Sequence, residues 1–149
     1  GTCGARSSRM LPLSIVALAA ASPRVTLPQG DVVGTVSARG VERFAGIPFA
    51  LPPTGQRRFA RAVLNEESWG TLDASRVGPP CIQNPAGDPR PPGFALAPAP
   101  SEDCLQLNIW RPAHASADAA LPVMVWVFGG GLCGNYAGNP GYNGSALAL

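Results

Sequence analysis

Residues 123–128, Val-Met-Val-Trp-Val-Phe, are apolar at every position and run straight into Gly129-Gly130-Gly131. A strand with no polar face fits only where both faces are covered, as in the middle of an α/β sheet. Three successive glycines then leave backbone N–H groups unshielded and admit conformations closed to other residues. At the tip of a central strand, two such N–H groups can point at the oxyanion that develops during acyl transfer. A sharp turn that merely needs glycine is the plainer use of the same residues. Gly129 to Gly134 also satisfies G-x-G-x-x-G, but the dinucleotide reading needs a helix there and an acidic residue about 20 positions on. Residues 135–144 are loop-like instead, and no Asp or Glu occurs from position 119 onward.

The remaining pattern is of short strands joined by long loops. Leu105, Leu107 and Ile109 alternate with Gln106, Asn108 and Trp110, which predicts a half-buried strand. The connection 112–121 suggests that this strand and 123–128 form an antiparallel pair. Residues 31–37 and 41–45, separated by Ala38-Arg39-Gly40, read as a hairpin. Residues 51–101 are rich in Pro and Gly, with Trp69 as their main anchor, and no internal repeat is visible. A loop of that length in a compact fold is usually functional or pinned.

Composition removes several chemistries. All 11 basic residues are Arg, so a lysine base, a Schiff base and a Walker A loop are excluded. The single histidine, His114, and the lack of any C-x-x-C pair leave no metal site to expect, and no cofactor is implied. A net charge of +2, scattered along the chain, does not suit nucleic acid. With 46% hydrophobic residues the chain is expected to fold.

The N-terminal region reads as an address. Arg6 and Arg9 precede Met10, the apolar run 11–21 comes next, and small residues 19–22 close it, in the order of a secretory signal. The run is too short for a bilayer, which takes about 20 residues, so no stable membrane span is expected. The expected organisation is a leader over 1–22, with Met10 as the natural start, and a truncated catalytic-type domain over 23–149. Gly1 at one end and Ala-Leu-Ala-Leu at the other read as the limits of a fragment. Export would make the protein secreted.

Several stretches together resemble the type-B carboxylesterase/lipase family, which includes cholinesterases and fungal extracellular esterases and lipases. They are Phe44-Ala-Gly-Ile-Pro-Phe-Ala50 with Pro52-Pro53, Gly55 and Arg58-Phe59; Ser101-Glu-Asp-Cys-Leu-Gln-Leu-Asn-Ile-Trp-Arg-Pro112; and Leu121 through Gly131, with Tyr142-Asn-Gly-Ser-Ala-Leu-Ala148 beyond. Trp69 and Gly78-Pro-Pro-Cys-Ile-Gln83 fit as well, so the likeness runs from about residue 28 to the end. It departs from the family at Phe128, where many members have His, and at Leu132, where an aromatic is usual. The loop 82–103 has Phe94 but no Trp, unlike the choline-binding members.

The resemblance implies an α/β-hydrolase fold, of which this chain holds the N-terminal strands and a disulfide-closed loop. It implies serine-nucleophile hydrolysis of carboxylic esters, small-molecule or lipid, by the full-length protein. Gly130 and Gly131 take the place of oxyanion donors. Cys81 and Cys104 stand where the family has a disulfide, and Arg58 and Glu102 where it has an ion pair. Cys3 goes with the leader, and Cys133 is left as a small packing residue. No G-x-S-x-G elbow occurs, and His114 lies out of the Ser–acid–His order, which makes it a solvated loop residue. The triad is therefore outside this chain, and the fragment alone is expected to be inactive. Asn143-Gly144-Ser145 is a glycosylation sequon. A second reading stays open: some members of the superfamily are non-catalytic adhesion ectodomains that keep these same motifs.

Overall fold

Short β-prone stretches between Pro and Gly residues form six strands: β1 (Arg24–Leu27), β2 (Gly30–Val33), β3 (Thr35–Val36), β4 (Val41–Pro48), β5 (Gly70–Asp73) and β6 (Gln106–Pro112). The structure, a computed structural model, describes residues 21–83, 98–113, 115–116, 118–131 and 134–149. Among the described residues the other regular elements are single 3-10 turns, and no helix is long and apolar enough to cross a membrane. The leader expected over 1–22 lies almost wholly outside the described residues, as do Phe94, His114 and Cys133.

The strands make two three-stranded sheets. In the first, β1 and β2 form an antiparallel hairpin and β5 joins β2 in parallel. Thr26 lies directly opposite Asp31, and its hydroxyl donates to the Asp31 carboxylate at 2.6 Å. Arg24 donates to the other carboxylate oxygen. The Thr26 hydroxyl first and the Arg24 guanidinium second hold the Asp31 carboxyl below its ordinary range.

The second sheet has the order β3-β4-β6, antiparallel throughout. Its β3–β4 hairpin is the one the sequence predicts. The first arm is divided, however: Gly34 donates to the Pro23 carbonyl, and residues 30–33 pair in the other sheet. Opposite Asn108 on β6, strand β4 carries two residues, Ala45 and Gly46, because Phe44 faces Ile109 and Ile47 faces Leu107. That is a β-bulge. Gly46 supplies it, with φ of +71° and an Arg76 carbonyl 2.7 Å from where a Cβ would lie. The bulge frees two amides from the ladder. Ala45 donates to the Ala74 carbonyl, and Gly46 donates to Asn108 Oδ1 at 2.9 Å. The bulge also brings Phe44 and Ile47, three residues apart, to one face of the sheet, and both are buried, as are Val41 and Ala45.

Those residues hold the two sheets together. Val32, Phe44, Ile47 and Ala74 form the core, and Val25, Trp69 and Leu72 pack against it. Trp69 thus is an anchor, as its place in the Pro- and Gly-rich stretch suggests. Each buried Val or Phe side chain contributes about 1.5–3 kcal/mol. Across β4 and β6, Arg111 pairs with Glu42 at 2.6 Å and lies over the Phe44 ring.

Two expectations fail. Residues 123–128 are not a strand, and β6 pairs with β4 instead of with them. Val123 is 86% exposed and Val127 83%. An all-apolar strand needs both edges paired and both faces covered, and no described strand lies beside this one. The alternation in β6 is read correctly as a half-buried strand. Leu107 and Ile109 are exposed, whereas Gln106, Asn108 and Trp110 turn toward the rest of the molecule. Asn108 accepts from Gly46 and donates to Ala137 there, whereas Gln106 Oε1 and Trp110 Nε1 are buried without a hydrogen-bond partner among the described residues.

Candidate active site

The glycine triplet comes after the apolar segment as expected. Gly131 has φ of +59°, a left-handed conformation that a branched side chain resists, and open space where its Cβ would be. At Gly130 a Cβ would come within 1.9 Å of the Gly134 carbonyl oxygen, so the chain must pass itself bare at that point. Gly134 N–H donates to the Gly130 carbonyl at 3.2 Å. Leu132 and Cys133 lie outside the described residues.

The return of this loop is fixed by amide side chains. Asn135 sits at φ +84°, which Asn tolerates better than most residues. Its side chain donates to the Tyr142 hydroxyl and accepts from Asn139 Nδ2. The Tyr142 ring in turn stacks on Phe128 at 6.2 Å and meets Trp126 at 6.0 Å, holding the segment before the glycines. The Gln83 carboxamide accepts from Asn135 N–H at 2.8 Å and donates back to the Asn135 carbonyl. Asn108, having accepted from Gly46, donates to the Ala137 carbonyl at 3.0 Å. Gln83, Asn108 and Asn135 are missed by the sequence reading. Only the amides at 83 and 108, inside otherwise ordinary motif stretches, could have signalled them.

Cys81 and Cys104 are joined by a disulfide, with Cα atoms 5.0 Å apart. Arg58 Nε lies 2.7 Å from Glu102 Oε1, and both side chains are more than a third exposed. An exposed pair of this kind contributes about 0–1 kcal/mol. The hollow lined by Cys81, Cys104, Gln106, Asn108, Phe128 and Tyr136 holds about 40 Å³. That volume suits one water molecule and excludes an acyl chain. Asn143 is exposed, and its side-chain oxygen accepts from Ser145 N–H. His114 and any role for it fall outside the described residues. Among those residues no group of three His, Cys, Asp or Glu could hold a metal ion.

This arrangement has close counterparts. Fumonisin B1 esterase of Sphingopyxis macrogoltabida is 47% identical over 109 residues, covering 72% of this chain and 19% of that protein. Lipase 5 of Diutina rugosa is 42% identical, covering 81% of this chain and 25% of the lipase. Among solved structures, a PNB esterase superposes with a TM-score of 0.73 at 40% identity, over 85% of this chain and 25% of its own. Such structures have the α/β-hydrolase fold, and the described strands are a portion of it. The chain spans about a quarter or less of the length of these relatives. Residues 21–149 match the Carboxylesterase family along their whole length, and to that family the chain belongs.

Proposed function

We propose that the protein carrying this chain is a carboxylic-ester hydrolase of the serine type. Gly130 and Gly131 donate two backbone hydrogen bonds to the oxyanion of its tetrahedral intermediate. One observation carries the assignment of these donors: the triplet bends back on itself at the end of an exposed apolar segment, with Gly131 left-handed and unobstructed on its Cβ side. That geometry leaves room for a substrate carbonyl against the backbone. In the expected chemistry, a serine attacks the ester carbonyl while histidine takes its proton, and water later releases the acid. Each oxyanion donor lowers the barrier by about 3–4 kcal/mol. The nucleophile, its acid and its histidine come from outside residues 1–149. So do the strands that would flank residues 123–128, and the acyl pocket.

The relatives are named as esterases and lipases, which supports small-molecule or lipid esters as substrates. They lend no support to the adhesion reading. Export through the leader at 1–22 would place the enzyme outside the cell and permit the Cys81–Cys104 bridge to form oxidatively. On that route Asn143, exposed within its sequon, is a glycosylation acceptor. A glycosidase-induced mobility shift of the secreted protein checks it, and an unchanged mass disposes of it. Assay of the full-length protein on short p-nitrophenyl esters tests the main reading. Absence of hydrolysis, together with a residue other than serine at the elbow, overturns it.

A further inference from the structure

We infer that Gln83 is a positioning residue that aims the Gly131 N–H, an inference that rests on the oxyanion role proposed for that group. Its carboxamide pairs with both backbone groups of Asn135, accepting from N–H at 2.8 Å and donating to the carbonyl at 3.2 Å. The same Nε2 donates to the Cys81 carbonyl at 3.1 Å, which folds the side chain back on its own loop. That loop is tied to the start of β6 by the Cys81–Cys104 disulfide. Gln83 is therefore a rigid arm reaching from the sheet to the far side of the glycine turn.

Fixing Asn135 fixes the peptide before it. Gly134 N–H, the next amide back along the chain, donates to the Gly130 carbonyl. The Gly130 carbonyl and the Gly131 N–H belong to one planar trans peptide and point in opposite directions. Holding the carbonyl toward Gly134 turns the Gly131 N–H away from it, outward from the turn. Glycines on both sides of that peptide put little resistance in the way of a flip, so the direction is set by the bond to Gly134. The sequence of contacts runs Gln83, Asn135, Gly134, Gly130, and ends at the proposed donor. Gln83 touches no substrate in this arrangement.

The test uses the full-length enzyme with Gln83→Met, which fills the same space without hydrogen bonds, and Gln83→Glu, which still accepts from Asn135. For Gln83→Met, kcat falls about 10- to 100-fold, while KM stays within about twofold, because the donor acts on the transition state. Affinity for a trifluoromethyl ketone, whose serine adduct carries the oxyanion, falls by the same factor as kcat. Gln83→Glu recovers part of both. A purely structural Gln83 predicts a lowered melting temperature with kcat per titrated site and ketone affinity intact, and that result overturns the inference. If Gln83→Met does not fold, Gln83→Ala, which also lacks both bonds, takes its place: full kcat in folded Gln83→Ala overturns the inference equally, and lowered kcat with lowered ketone affinity supports it. Failure of both variants to fold makes Gln83 a stability residue and ends the inference. Gly131→Val is the control. Full kcat in that variant removes the oxyanion reading itself, whereas an inactive Gly131→Val beside a fully active Gln83→Met removes only the role of Gln83.

Discussion

Val32 in β2 is 2% exposed, and Val125, inside the apolar run before the glycines, is 81% exposed. The two residues are chemically identical, and the second has the more hydrophobic neighbours. What separates them is company. Val32 lies between β1 and β5 and packs on Phe44 and Ile47 across the sheets. Val125 has no strand on either side among the described residues. Burial is a property of partners and not of composition. In the two sheets the bulge, the hairpins and the Arg111–Glu42 ion pair find their partners close by. The 123–131 region, which holds the proposed oxyanion donors, has no described strand beside it.

The strongest way to probe this division is at the glycine end. Gly131→Val in the full-length enzyme should lower kcat by about 10²–10³-fold, the scale of one lost oxyanion donor. Turnover against active-site titre, beside a thermal melt, reads it. Near-normal turnover in folded protein would make the triplet a turn alone.

The better-packed half is tested by opening its bridge. Replacing Cys81 and Cys104 with serine should cost about 3 kcal/mol of stability for a loop closed across 23 positions. Urea unfolding of the paired variants measures it, and an unchanged midpoint would show that the sheets hold the loop without the disulfide.

Placing the same substitution in both halves sharpens the contrast. In the 149-residue chain, Val32→Ala should cost about 2 kcal/mol, and Val125→Ala less than about 0.5 kcal/mol. In the full-length protein Val125→Ala should become the costly one as well. Equal urea midpoints for the two variants of the short chain would break the comparison.

The smallest effect is electrostatic. Asp31 is held below its ordinary pKa by Thr26 and Arg24, so its contribution is fully present above the unfolded value near 3.8 and lost as pH falls through the lowered folded value. Asp31→Asn should flatten the acid limb of the stability curve and leave stability near neutral pH only slightly changed. An acid limb of unaltered slope would show that the hairpin does not depend on this carboxylate.

Much of this is legible in the residues. The β3–β4 hairpin is implied by Ala38-Arg39-Gly40 between apolar arms, and Trp69 stands out as an anchor in a Pro- and Gly-rich stretch. The glycine triplet is conspicuous at the end of an apolar run, although a plain sharp turn uses the same residues. What misleads is reading burial from hydropathy alone. Leu107 and Ile109, the apolar side of β6, are exposed, while Asn108 on the other side ties the bulge to the Ala137 carbonyl. Residues 123–128 spell a buried strand, but one sequence segment cannot say which segments will lie beside it. Gln83 escapes because its role depends on two loops separated by more than fifty positions meeting in space.

The bulge at Ala45 and Gly46 has an evolutionary corollary. Loss of one residue there would let β4 and β6 pair flush, with Phe44 still facing Ile109 and Ile47 still facing Leu107, and would remove the two amides that the bulge frees from the ladder. Asn108 would no longer meet Gly46, and the amide that grips the Ala137 carbonyl would be drawn off its mark. Insertions and deletions should therefore be purged from β4 while surface loops absorb them freely. A length change in a strand remote in sequence from the glycines would silence the site without altering a single residue of it.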